Sequence, residues 1–79
     1  MTEATRVEIN PKVMLGKPVI RGTRVPVELL LRRLSEGATV EDLLASYPHL
    51  ERDDIRAALA FAASEIALTE YLEPAAGAK

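Results

Sequence analysis

The sequence predicts a small, mainly α-helical domain in which a short N-terminal β-arm or hairpin precedes three helices. Three observations predict it. The chain has 79 residues, which suits one domain with a limited core. The stretch Gly16–Val27 sets β-branched residues among two Gly and two Pro, which predicts short extended pieces joined by turns. Beyond residue 26, apolar residues recur at helical spacing between turn signals.

The predicted β-arm covers residues 7–25, after a lead over residues 1–6 that we expect to be disordered. Val7 to Ile9 alternates apolar and polar residues, and the Asn-Pro pair that follows indicates a turn. Val19-Ile20 and Val25 are predicted to be short extended pieces. Gly22, between them, supplies a backbone position that can turn in either direction.

Leucine spacing predicts the first two helices, over residues 26–36 and 39–47. Pro26 suits the first helical position, and Gly37 suits a left-handed C-terminal stop. Thr39 is a good N-cap, with Asp42 three residues on. The two apolar stripes are Val27, Leu30, Leu31 and Leu34, then Val40, Leu43, Leu44 and Tyr47. Leu29, Arg32, Arg33 and Glu36 are predicted on the opposite face of the first helix.

The third helix is predicted over residues 51–72, before a flexible tail at 74–79, and it carries two apolar stripes. Ile55, Ala58, Leu59, Ala62 and Ile66 form the stripe predicted to face the core. Ala57, Phe61, Leu68, Tyr71 and Leu72 lie roughly opposite. A helix that is apolar on both sides is normally covered on both. The second stripe therefore predicts a homodimer or partner interface, with packing under the β-arm as the alternative.

Charge is distributed unevenly, although the whole chain is only −2. Residues 1–33 carry net +4 and residues 34–79 carry net −6. The N-terminal half would therefore meet an anionic partner, unless the charges are simply mixed solvated surface. If the domain binds DNA, the candidate contacts are Lys17, Arg21, Thr23, Arg24, Arg32, Arg33, Arg52 and Arg56.

The run from Arg21 to Arg24 admits three readings. Its side chains could bond nearby backbone and fix the junction between sheet and helix. The two arginines could straddle a nucleic-acid phosphate. An arginine could also enter the acidic site of a partner nuclease. The run lacks the spacing of a nucleotide-binding P-loop.

Composition argues against an enzyme and against a bound metal or cofactor. The chain has no cysteine and one histidine, His49, in a Tyr-Pro-His-Leu turn. Asp53 and Asp54 fall in the first turn of the third helix, where the helix dipole explains them. The first residues lack an apolar signal core and no apolar run approaches a membrane span, so we expect a cytoplasmic protein.

The second and third predicted helices are joined by a turn at Pro48–Leu50, and this arrangement resembles a helix-turn-helix. The runs Glu8–Pro11, Gly16–Val27, Tyr47–Leu50 and Asp54–Ala63, with Gly37, resemble the bacterial domain-of-unknown-function family 433. That resemblance implies a homeodomain-like fold after short strands. It also implies a VapB-type antitoxin of a type II toxin–antitoxin pair, encoded beside a nuclease of PIN-like fold. Glu51 departs from the family pattern, in which we expect Ser or Thr before the third helix.

The expected function is therefore antitoxin-like: neutralising a PIN-like nuclease and repressing the shared operon by binding operator DNA, with no catalysis. Two alternatives stay open. One is a stand-alone dimeric helix-turn-helix regulator of transcription. The other is an assembly adaptor without a nucleic-acid role, which suits the acids at the start of the third helix. Because the tail is short, the second stripe of the third helix is the expected toxin-binding surface.

Overall fold

A computed structural model describes residues 6–72 of the chain, with the backbone alone for residues 70–72. This part is mainly helical, with a three-stranded antiparallel sheet before three α-helices. The strands are β1 (Val7–Glu8), β2 (Val19–Ile20) and β3 (Val25–Pro26). The helices are α1 (Val27–Ser35), α2 (Val40–Ser46) and α3 (Arg52–Leu72). Each helix bound lies within one residue of its prediction. The predicted lead up to residue 5 and the tail at 74–79 fall outside the described residues.

The sheet has β2 at its centre, between β1 and β3. Val7 is paired with Ile20, and Val19 with Pro26. Both pairings are antiparallel, so the start of β1 and the turn between β2 and β3 lie at one end of the sheet. The N–H of Arg21 donates to the carbonyl of Arg6 at 2.8 Å at that end.

Local signals in the sequence define the helix ends. The Thr39 side chain accepts from the Asp42 N–H at 3.0 Å and the Asp42 carboxylate accepts from the Thr39 N–H at 2.9 Å, which confirms the predicted capping box. Gly37 follows α1 with a φ of +103°, and its N–H donates to the carbonyl of Leu34. This confirms the left-handed stop. Pro26 is the N-cap of α1, one residue before the position predicted for it.

The core lies between the sheet and the three helices. Its buried side chains are Ile20, Val25, Val27, Leu30, Leu43, Leu50, Ile55 and Ala58. Leu29, predicted on the solvent face of α1, is half-buried and packs against this core. Burying apolar area is the main stabilising term available to a domain that has no disulfide.

The predicted orientation of α3 is confirmed for Ile55 and Ala58, which are buried, but wrong for three other residues. Leu59 and Ile66, assigned to the core stripe, are 48% and 60% exposed, whereas Ala57, assigned to the outer stripe, is fully buried. The core-facing residues are 54, 55, 57 and 58, with Phe61 half-buried against the core. The sheet and α1 meet α3 between the two predicted stripes. The helix has alanines on most sides, so its own pattern does not define one direction.

Candidate functional site

A tight turn between β2 and β3 presents two arginines at the surface. Gly22 and Arg24 adopt left-handed backbone conformations, with φ of +84° and +62°. The Thr23 hydroxyl donates to the Ile20 carbonyl at 2.9 Å and accepts from the Val25 N–H at 3.0 Å. Thr23 is thus committed to shaping the turn, while Arg21 and Arg24 are exposed on either side of Gly22 and Thr23. We call residues 21–24 the basic turn.

Two of the predicted DNA-contacting cations are paired to one acid. Lys17 Nζ lies 3.6 Å from a carboxylate oxygen of Glu28, and Arg32 forms an i,i+4 hydrogen-bonded pair with the same carboxylate. The hydrogen bond from Arg32 is the main cause of a lowered pKa at Glu28. These pairs are solvent-exposed, so each adds little stability and can be exchanged for another anion.

The first turns of α3 also hold their arginines in ion pairs. Arg52 lies 3.1 Å from a carboxylate oxygen of Glu41 on α2, and Arg56 lies 3.7 Å from Asp53. Glu51 is exposed at the start of the same helix. Phosphate contacts need an excess of positive charge, so this helix end is a poor surface for a nucleic-acid backbone.

Arg6 joins the start of β1 to the start of α3. Its guanidinium contacts three carboxylates, at 2.9 Å from Asp54, 3.2 Å from Glu51 and 3.7 Å from Asp53. Asp54 is only 6% exposed, and its second oxygen accepts from the Glu51 N–H at 2.9 Å. Hydrogen bonds to Asp54 and then to Glu51 raise the pKa of Arg6. Arg6 was assigned to the disordered lead, and that assignment is wrong.

The distal part of α3 is uncovered by the rest of the described chain. Every residue from 63 to 69 is exposed, and Leu68 is 54% exposed. At 3.6 residues per turn, Leu68 lies on the same side of α3 as Ala57 and Phe61, beyond the part of the helix that packs against the core. The predicted partner interface includes Ala57, Phe61 and Leu68. Ala57 is buried inside the chain and Phe61 is half-buried, whereas Leu68 is exposed and can contact a partner. The side chains of Tyr71 and Leu72 lie outside the described part.

A second exposed apolar surface lies in the loop between β1 and β2. The sequence pattern did not predict this surface. Leu15 is 96% exposed, Ile9 59% and Met14 45%. Met14 and Leu15 both have left-handed backbones, with φ of +51° and +58°. Hydrogen bonds within the loop hold this shape, including Val13 N–H to the Asn10 carbonyl at 2.8 Å. Left-handed backbone at two non-glycine residues is strained.

The structure therefore has Arg21 and Arg24 exposed on one turn and pairs Lys17 and Arg32 with the same acid, Glu28. Arg52 and Arg56 lie among acids. Arg33 is half-buried. The pKa of Asp42 is lowered mainly by its hydrogen bond from the Thr39 N–H, with the charge of Arg33 as the smallest cause. Within residues 6–72, no group of three His, Asp or Glu side chains is arranged to hold a metal ion. No helix in that range is both long and apolar enough to cross a membrane.

Comparison with known proteins identifies a sequence family that this chain matches. Residues 7–62 match the sequence family described as protein of unknown function DUF433. An uncharacterized protein of Sinorhizobium fredii, y4eO, is 39% identical over 56 residues, or 71% of this chain and 25% of that protein. An uncharacterized protein of Archaeoglobus fulgidus is 56% identical over 27 residues, covering 34% of this chain and 75% of that one.

A solved structure shares the fold. The crystal structure of a DUF433 member from Anabaena variabilis matches with a TM-score of 0.68 at 33% identity, covering 87% of this chain and 60% of that chain. This chain thus spans a quarter of the Sinorhizobium protein and 60% of the Anabaena chain. The family match ends at residue 62, immediately before the uncovered part of α3.

Proposed function

The chain belongs to the DUF433 family, and we propose that it is a cytoplasmic, antitoxin-like homodimer that neutralises a partner nuclease of PIN-like fold. In this proposal it acts by binding, without catalysis, metal or cofactor. It also binds operator DNA and represses its own operon. Its three helices serve as a homeodomain-like helix-turn-helix unit.

The observation that carries the proposal is the uncovered end of α3. Seven consecutive helical residues, 63–69, are exposed, and Leu68 extends the side of α3 that carries Ala57 and Phe61. Glu65 is the one charged residue among them. Isolated helix ends gain little from propensity, and most helical stability in proteins comes from packing an apolar face. A partner that covers Leu68 would supply that packing, as in other helix-in-groove complexes.

DNA binding rests on the basic turn rather than on α3. Among the described residues, Arg24 forms no ion pair, and it stands with Arg21 on a turn whose shape Thr23 fixes. A positioned pair of arginines suits phosphate oxygens. The acids around Arg52 and Arg56 count against α3 as the element that carries the phosphate contacts.

Co-expression tests the nuclease-binding role. The product of the neighbouring gene, which the proposal takes to be a PIN-like nuclease, is expressed under an inducible promoter, alone and with the chain. The proposal expects growth arrest by the nuclease alone, growth with wild-type chain, and arrest again with Leu68→Asp. Thr69→Asp is the matched control, since Thr69 is exposed on another side of α3. Rescue by the Leu68→Asp variant would place the contact elsewhere.

A stand-alone DNA-binding regulator is the second candidate, favoured by the same basic turn. The two candidates differ in the co-expression result. A regulator without a toxin would bind its own promoter fragment and leave the neighbouring product's activity unchanged. The adaptor alternative predicts neither effect.

A further inference from the structure

We propose that two copies of this chain pair through the outer face of α3, antiparallel and centred on Ala63. The outer face consists of Leu59, Ala60, Ala63, Ile66 and Ala67, all exposed in the structure. This inference rests on the homodimer of the proposed function and assigns its face. The nuclease contact at Leu68 lies on another side of the helix and is tested separately.

The face lies opposite the core. At 3.6 residues per turn, Ala63 lies opposite the buried Asp54, with Ala60 and Ala67 on one side of it and Leu59 and Ile66 on the other. The buried Ile55 borders the face at its Ile66 edge. Leu59 and Ile66 are 48% and 60% exposed. None of the five residues carries charge. An uncharged apolar helical strip is the kind of surface that a matching helix covers.

Self-complementarity of size identifies a second copy as the occupant. In an antiparallel pair with Ala63 on the two-fold axis, Leu59 of one copy falls opposite Ala67 of the other. Ile66 likewise falls opposite Ala60. Each large side chain then meets a small one, which is how packed layers interdigitate. A two-fold axis repeats both contacts, as an isologous interface requires.

Charge agrees with the same register. Arg56 borders the strip on its N-terminal side, with an exposed pair to Asp53 at 3.7 Å that is weak enough to exchange. An antiparallel pair centred on Ala63 sets position 56 opposite position 70, and the sequence has glutamate there. A parallel pair would set Arg56 against its own copy instead.

Single cysteines test the register directly, because the natural chain contains none. Oxidation of Ala63→Cys is expected to give covalent dimer in at least tenfold excess over Ala60→Cys or Thr69→Cys. Positions three and six residues from the axis are separated from their own copies by about 9 and 18 Å along the helix, beyond disulfide reach. An equal mixture of Leu59→Cys and Ala67→Cys is expected to cross-link mainly between the two variants.

Mass in solution completes the test. Light scattering on the wild-type chain is expected to give twice the 8.6 kDa of one chain. Ala63→Arg should halve that mass, with an unchanged helical circular-dichroism spectrum, whereas Ser64→Arg should keep the dimer. A wild-type monomer at all concentrations, or cross-linking of Ala60→Cys as efficient as that of Ala63→Cys, would overturn the inference. A dimer insensitive to Ala63→Arg would overturn it as well, while leaving nuclease binding at Leu68 standing.

Discussion

Arg6 and Asp54 lie 48 positions apart in the sequence and form a hydrogen-bonded ion pair of 2.9 Å between Nη1 and Oδ1. The pair ties the start of β1 to the first turn of α3. Asp54 also accepts from the Glu51 N–H, so one buried carboxylate closes the helix start and anchors the strand. An aspartate three residues after Glu51 thus accepts from the Glu51 N–H, as the carboxylate at the third helical position does in a capping box.

Removing the buried carboxylate should destabilise the fold. Asp54→Ala leaves the Glu51 N–H and the Arg6 guanidinium without their shared acceptor, and we expect a loss of about 1–3 kcal/mol in the free energy of unfolding. Asp53→Ala is the matched control: Asp53 is exposed and 3.7 Å from Arg6. Urea unfolding at one protein concentration measures both. Equal losses in the two variants would show that burial of Asp54 gives it no special role.

The capping box of α2 should make stability depend on pH in acid. The Thr39 N–H, with a smaller contribution from the Thr39 side chain, lowers the pKa of Asp42 below its usual 3.8. A lowered folded-state pKa means that the stabilisation is complete above the unfolded pKa and is lost as pH falls through the folded value. The stability difference between wild type and Asp42→Asn should therefore be present near pH 7 and shrink below roughly pH 4.

Thr39→Ala tests the other half of the same box. We expect a loss of about 1 kcal/mol at neutral pH, since the side chain accepts from the Asp42 N–H. Ser46→Ala, at the exposed end of α2, should change the unfolding midpoint little. Thermal unfolding at neutral pH compares the two variants. Indistinguishable midpoints for Thr39→Ala and wild type would contradict the cap.

Replacing Leu15 should increase the free energy of unfolding. It holds a left-handed backbone with its side chain 96% exposed, so it is strained and buries almost nothing. Asn tolerates that conformation better, and Leu15→Asn is expected to raise the free energy of unfolding by up to about 1 kcal/mol. Lys12→Asn, in the same loop without a left-handed backbone, should not. A loss of stability in Leu15→Asn would mean that the leucine packs against a second molecule.

If the basic turn binds DNA, replacing different arginines should weaken the affinity for DNA by different amounts. Arg24→Ala should weaken binding to the chain's own promoter fragment and reduce the salt slope by about one. Arg52→Ala should have a smaller effect, because Arg52 lies among the acids Glu41, Glu51 and Asp53, whose charges oppose a phosphate. Fluorescence anisotropy at several salt concentrations measures both. Binding that is insensitive to salt would remove the proposed phosphate contacts.

Local signals in the sequence were sufficient to predict the helix bounds to within one residue. Thr39, Asp42 and Gly37 act through neighbours a few residues away, so their roles can be read from spacing. The direction in which α3 faces could not be read, since alanines surround it and only its packing against α1 and the sheet selects Ala57 over Leu59. The pairing of Arg6 with Asp54 joins distant segments, and no local pattern predicts it.

We propose that this chain binds a nuclease through the face of α3 that Leu68 continues. The most direct test is the dissociation constant between the purified chain and the proposed nuclease partner, measured by titration calorimetry for wild type, Leu68→Asp and Thr69→Asp. We expect Leu68→Asp to weaken binding at least tenfold, about 1.4 kcal/mol, and Thr69→Asp to bind with an affinity close to that of wild type. No binding by the wild-type chain, or equal affinity of all three proteins for the nuclease, would contradict it.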